Sequence, residues 1–167
     1  MRTICTVVAL VAFAFALTAA DTKFDSKDGR YSAKFPGEPK VLPQKAGGID
    51  VVITIFQKSD KIGYSVIYSD VPADVVKGTA PAKLLETGEK GLADTFKAKI
   101  TKSGETKFMS GGKQYPAREI TAEREDINLR VLLVMADSRL YQVYVVGPKE
   151  AVTSPEADEF FKSFEVK

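Results

Sequence analysis

The chain predicts an α+β fold, a mostly antiparallel β-sheet covered by helices. Short segments alternate apolar and polar residues between Gly, Pro and Asp-Ser turns, the period-two pattern of strands. Two segments instead repeat apolar residues at three and four, the helical period. Their order, strand, hairpin, helix, several strands, helix, argues helices laid on an antiparallel sheet.

Residues 21–30 are polar and expected to be loosely held, with Phe24 able to pin them to the core. Asp28-Gly29 marks a turn. Residues 30–35 then alternate, with Tyr31, Ala33 and Phe35 on one side, as in a half-buried strand. Pro36 and Pro39 end it, because proline supplies no N–H to a ladder. After Gly47-Gly48, residues 49–58 carry Ile49, Val51, Ile53 and Ile55 on one face and Val52, Thr54 and Phe56 on the other. That reads as an interior strand covered on both sides. Residues 63–69 return as the second strand of a hairpin. Residues 73–78 suit a short helical turn.

A longer helix is predicted over residues 80–97, with Thr79 as N-cap and Pro81 in the first turn. Leu85, Gly88, Leu92 and Phe96 form its core stripe. Gly88 and Gly91 weaken it intrinsically but permit close approach to a sheet. Residues 99–109 contain a strand with a possible break at Gly104. Residues 114–124 form another, whose Pro116 suggests an edge or a bulge. Residues 129–136 and 140–146 are the most apolar strands and belong at the sheet centre. The last helix has a readable start: Ser154 as N-cap, Pro155 at N1, and Glu156 and Asp158 against the helix dipole. Ala157, Phe160, Phe161 and Phe164 form its apolar face.

Residues 1–20 read as a secretory signal peptide. Met1 and Arg2 precede an apolar run over residues 4–17, and Thr18-Ala19-Ala20 supplies a small-residue exit. The run is shorter than the ~20 residues of a spanning helix. Cleavage after Ala20 leaves residues 21–167 as one domain without an integral membrane span, periplasmic or secreted. The single cysteine, Cys5, lies in the leader, so the remaining chain forms no disulfide and no thiolate site. Histidine is absent throughout. That excludes Ser-His-Asp catalysis and histidine-ligated zinc, and removes the commonest acid–base group. Lys+Arg 24 against Asp+Glu 22 is near balance. Such a charge gives no general drive toward nucleic acid, and no nucleic-acid partner or cofactor is expected.

Three segments carry a family resemblance: Arg30-Tyr31-Ser32-Ala33-Lys34-Phe35-Pro36-Gly37-Glu38-Pro39, then Gly112-Lys113-Gln114-Tyr115-Pro116-Ala117-Arg118-Glu119, and the ending from Arg139-Leu140-Tyr141-Gln142 to Phe160-Phe161-Lys162-Ser163-Phe164. Together they resemble small exported bacterial proteins of the PsbP/Mog1-like superfamily, of the type common in planctomycetes. The resemblance implies an α/β/α sandwich around an antiparallel sheet. It does not imply an enzyme, and it carries over no binding residue.

Candidate site residues are few. Arg118, Asn128 and Arg130, with Lys113, could line an anion-binding surface; alternation puts Asn128 and Arg130 on one face. Tyr141 is a candidate for partner contact, since tyrosine is broad and stiff, although core packing also explains it. Glu119, Glu123, Glu125 and Asp126 are weak cation candidates without the glycine and spacing of an EF-hand. The arginines among them could neutralise these acids. Gly111-Gly112 lacks the phosphate-loop frame and reads as a turn. The expected function is a non-catalytic module that binds another envelope protein. A small hydrophobic-ligand carrier, with a pocket beneath the first long helix, is the alternative; a carboxylate- or lysine-based enzyme ranks last.

Overall fold

A computed structural model of the chain describes residues 21–125 and 127–167. The predicted leader and Asp126 lie outside the described residues. The elements run β1 (Thr22–Ser26), β2 (Tyr31–Phe35), β3 (Lys40–Ala46), β4 (Ile49–Ser59), β5 (Ile62–Asp70), α1 (Ala73–Gly78), α2 (Pro81–Phe96), β6 (Lys99–Ser110), β7 (Lys113–Arg124), β8 (Ile127–Ala136), β9 (Arg139–Gly147), α3 (Lys149–Val152), α4 (Pro155–Ser163) and β10 (Glu165–Val166). A seven-stranded antiparallel sheet has the order β3-β4-β5-β9-β8-β7-β6. The two most apolar strands, β8 and β9, do occupy its centre. A smaller sheet, β1-β2-β10, is also antiparallel.

Three layers result, and two cores. On one face of the large sheet α2 packs Leu85 and Leu92 against Ile120, Leu129, Leu133 and Met135. On the other face the small sheet and α4 bury Tyr31, Phe35 and Phe160 against Tyr64, Val66 and Tyr141. The α+β class is as the sequence predicts, and the layer opposite α2 is part helix and part sheet. Residues 22–26 are held more firmly than their polarity suggests: β1 pairs along all of β2, and the Phe24 ring lies 6.1 Å from those of Tyr31 and Phe35.

Local chemistry accounts for most boundaries. The Ser154 hydroxyl accepts the Ala157 N–H at 3.1 Å and caps α4 as predicted. At α2 the cap position is Ala80, which has no side chain to offer; Thr79 lies one residue too early. Positive φ at Gly47, Gly48, Gly111 and Gly112 closes the β3–β4 and β6–β7 hairpins. β6 continues through Gly104; its irregularity falls between Ile100 and Lys102. Pro116 sits in the interior strand β7, but the ladder with β8 begins only at Ala117. At Pro116 itself β7 pairs with β6 alone, which is how an interior strand accommodates a missing N–H.

Titration behaviour follows from the absence of histidine. The Arg139 hydrogen bond holds Asp70 below the usual carboxylate range, and Arg130 does the same for Asp158. Burial alone would raise Glu156, but hydrogen bonds from Lys58 and Tyr64 outweigh it and leave it lowered. These groups stabilise the fold above the ordinary carboxylate pKa of about 4, and that contribution is lost as pH falls through the lowered values. Burial raises the phenols of Tyr31, Tyr64, Tyr141 and Tyr144. Their contribution is complete below the unfolded value of about 10 and is lost as pH rises beyond it. The denaturant midpoint is therefore expected to be flat from about pH 6 to 9 and to fall on both sides. A step near pH 6.5 in a denaturation series would contradict this origin of the profile.

Candidate functional site

Strand register decides where the candidate residues go. Thr121 pairs with Arg130, whereas Arg118 pairs with Leu133. Directly opposed residues share a face, and Leu133 belongs to the α2 core. Arg118 therefore faces α2, while Arg130 and Asn128 face α4. The structure does not bring the two arginines together. Lys113 stands eight positions along β7 from Thr121, about 27 Å at strand rise.

Arg118 is a strut between sheet and helix. Its Nε donates to Glu89 Oε2 on α2 and to Ser103 Oγ at 2.9 Å, and Ser103 donates to the same carboxylate oxygen at 2.9 Å. Glu105 lies 3.7 Å from Arg118 Nη1. Tyr141 is 1 % exposed and sits inside the aromatic core. Its hydroxyl donates to Gly29 O at 2.7 Å, tying the β1–β2 turn to β9. It offers no free ring to a partner.

Arg130 borders a groove. Its Nη1 donates to Asp158 Oδ1 on α4 at 2.5 Å, and its guanidinium lies 4.7 Å from the Phe161 ring centre. The groove, about 550 Å³, runs between α4 and β6 over the outer strands of the large sheet. Lys102, Gly104, Thr121, Leu132, Phe161 and Lys162 line it. Glu119 is also at its wall, opposite Gly104. Its lining joins an apolar floor to Lys102, Lys107, Lys162 and Arg130 and to the acids Glu105, Glu119 and Asp158, a mixed-charge groove that neither Arg130 nor Asn128 reveals by itself.

The acidic residues do not converge. Glu119 and Glu123 share a face but stand about 13 Å apart along β7, and Glu125 turns away at positive φ. Among the described residues no group of three His, Cys, Asp or Glu could hold a metal ion.

A second open surface lies at the other edge of the sheet. α2 packs on β6, β7 and β8. The row Leu42, Ile53, Ile67 crosses β3, β4 and β5 on that same face. Leu42 is 43 % exposed and Ile49 39 %, with Val51, Ile53 and Ile55 half-buried between them. β4 is the expected interior strand, but helix cover on this face is incomplete. The exposed β3 has little apolar content to announce it, and sequence periodicity does not register it.

Under α2, Leu85 and Leu92 are buried against the sheet. A Cβ on Gly88 would meet Leu133 at 3.4 Å and Leu140 at 3.5 Å, ordinary van der Waals contact, so the helix does not need glycine there to approach the sheet, contrary to the expectation. Gly91 faces open space.

These layers define a PsbP-like α+β fold. The chain is similar to the solution structure of cyanobacterial PsbP (CyanoP) from Synechocystis sp. PCC 6803, with a TM-score of 0.62 at 15 % identity over 99 % of this chain and 98 % of that one. A protein of unknown function from Pseudomonas aeruginosa, described as a putative regulator, aligns with a TM-score of 0.41 and 15 % identity over 73 % of this chain and 91 % of that one. No protein-family model matches the sequence, and no curated protein matches it. No helix among the described residues is long and apolar enough to cross a membrane.

Proposed function

We propose that the chain is an exported, non-catalytic interaction module that docks on another protein of the cell envelope. The observation that carries this reading is the open apolar face of the β3–β4 hairpin, where Leu42 and Ile49 stand exposed beside Val51, Ile53 and Ile55. Exposed apolar surface of this kind marks interaction sites. The edge itself is guarded. Pro43 interrupts the β3 N–H row, and Lys40 and Lys45 are exposed on it, devices that discourage strand pairing with a second copy. Docking therefore uses the side-chain face and an apolar surface on a different protein. The leader supports export, and the lack of histidine and cysteine beyond Cys5 supports a role without catalysis.

The test is native mass spectrometry of the protein gently isolated from its own envelope fraction. A co-purifying protein at fixed stoichiometry is expected, and Leu42→Glu with Ile49→Lys should release it. Both side chains are exposed, so folding stability should change by no more than about 0.5 kcal/mol. A bare monomer, a homodimer, or a partner retained by the double variant would each overturn the reading.

A further inference from the structure

The groove between α4 and β6 takes its charged side chains from one face of the sheet. Glu105 pairs with Arg118, which faces α2, so Glu105 and Lys107 turn their side chains to the α2 side. Two cross-strand rows remain on the groove side. One runs Lys102, Thr121, Arg130 and the next Gly104, Glu119, Leu132, with about 5 Å between neighbouring strands. Across from them α4 supplies Asp158, Phe161 and Lys162.

Two of these charges satisfy each other: Arg130 is held by Asp158 at 2.5 Å. Lys102, Lys162 and Glu119 form no ion pair among the described residues. Glu119 is exposed and stands between Leu132 on one side and Gly104 on the other. Gly104 has no structural need to be glycine. It is not among the residues of positive φ, and a Cβ there would meet nothing within 4 Å. A glycine inside a strand marks a place where a ligand or another backbone comes close. The missing side chain leaves the Glu119 carboxylate open from the β6 side.

Free groups of both signs beside an apolar wall select the occupant. A simple anion meets Lys102 and Lys162 but also Glu119, and a simple cation meets the reverse. A molecule that carries an ammonium and a carboxylate a few ångströms apart satisfies all three. The groove volume of about 550 Å³ is that of a small-molecule site. The apolar part of such a molecule has Leu132 and the Phe161 ring to lie against.

We propose that this groove binds a zwitterionic amino-acid-like molecule with a large apolar side chain. Its ammonium donates to Glu119 through the gap at Gly104. Its carboxylate is drawn to Lys102 and Lys162, which reach in from the β6 and α4 walls. Its side chain covers Leu132 and Phe161. The site is separate from the β3–β4 hairpin face, so it stands or falls independently of the interaction-module reading.

The experiment is an amide NMR titration of the protein purified from cells expressing the full-length gene. The probe is phenylalanine. The comparators are 2-phenylethylamine, which keeps only the positive group, and 3-phenylpropionate, which keeps only the negative one. Shifts centred on Gly104, Glu119 and Phe161 are expected, with phenylalanine bound about fivefold tighter than either comparator, the size of one solvent-exposed charge contact. Glu119→Gln should weaken phenylalanine and the amine about fivefold and spare the carboxylate. Lys102→Gln with Lys162→Gln should weaken phenylalanine and the carboxylate and spare the amine. All three side chains are exposed, so these variants should fold as the parent does. Shifts absent from the groove, equal binding of the three probes, or phenylalanine binding unchanged by Glu119→Gln would overturn the proposal.

Discussion

Tyr31→Ala is expected to lower the unfolding free energy by about 4 kcal/mol, the cost of deleting a fully buried aromatic ring. Tyr31 is 0 % exposed. It stands on β2, and its ring centre lies 6.2 Å from that of Tyr68, 6.1 Å from Tyr141 and 5.9 Å from Phe164. Its hydroxyl donates to Thr54 Oγ1 on β4 at 2.6 Å. One side chain thus joins the small sheet to β4, β5, β9 and the end of α4. Small domains have only about 5–15 kcal/mol in hand, so the loss is a large share. Tyr31→Phe keeps the ring and removes one hydrogen bond, at about 1 kcal/mol. Hydrogen exchange should show β1, β2 and β10 losing protection before α2 in the alanine variant, because α2 packs into the other core, on the opposite face of the large sheet. A loss below about 1.5 kcal/mol, or uniform loss of protection, would show that the aromatic cluster is not what holds the small sheet.

Such a layer was only half legible in the sequence. β8 and β9 declare themselves because both faces of a central strand are buried, so their residues are almost all apolar. α4 declares itself through Ser154 and Pro155, whose roles depend on local backbone chemistry alone. β3 is silent because an exposed edge strand needs few apolar residues, and Pro43 argues against any strand on local grounds. β10, only two residues long, exists because β2 offers it an edge. No local pattern could reveal that.

The candidate site was legible to the same limit. Asn128 and Arg130 share a face because they share a strand, and alternation fixes that. Arg118 is on a different strand, and only the pairing of Thr121 with Arg130 reveals that it points the other way. β8 is apolar on both faces and β7 carries charged residues on both, so composition gives no sign of which face meets α2. The groove was missed for a related reason. Lys102, Gly104, Arg130 and Phe161 come from β6, β8 and α4, and nothing in linear order connects them. The one clue available was Gly104, read as a possible break in a strand that in fact continues.

Arg118→Ala is expected to cost about 3 kcal/mol, the second large effect. The side chains of Arg118 and Glu89 are 17 % and 11 % exposed. Removing the guanidinium leaves the Glu89 carboxylate desolvated, with Ser103 as its one remaining donor. Breaking a buried pair in this way costs more than forming the pair ever gains, because an uncompensated charge remains. Replacing both partners removes that charge. The double variant Arg118→Met, Glu89→Leu should therefore recover most of the loss, since apolar replacements of buried ion pairs are often neutral or better. The cycle separates a strut from a recognition residue. A strut gives strong coupling in stability, read from chemical denaturation, and no change in the envelope partner retained through Leu42 and Ile49. If Arg118→Ala leaves stability within about 0.5 kcal/mol of the parent yet abolishes partner binding, Arg118 is a contact residue, and α2 is held to the sheet by its leucines alone.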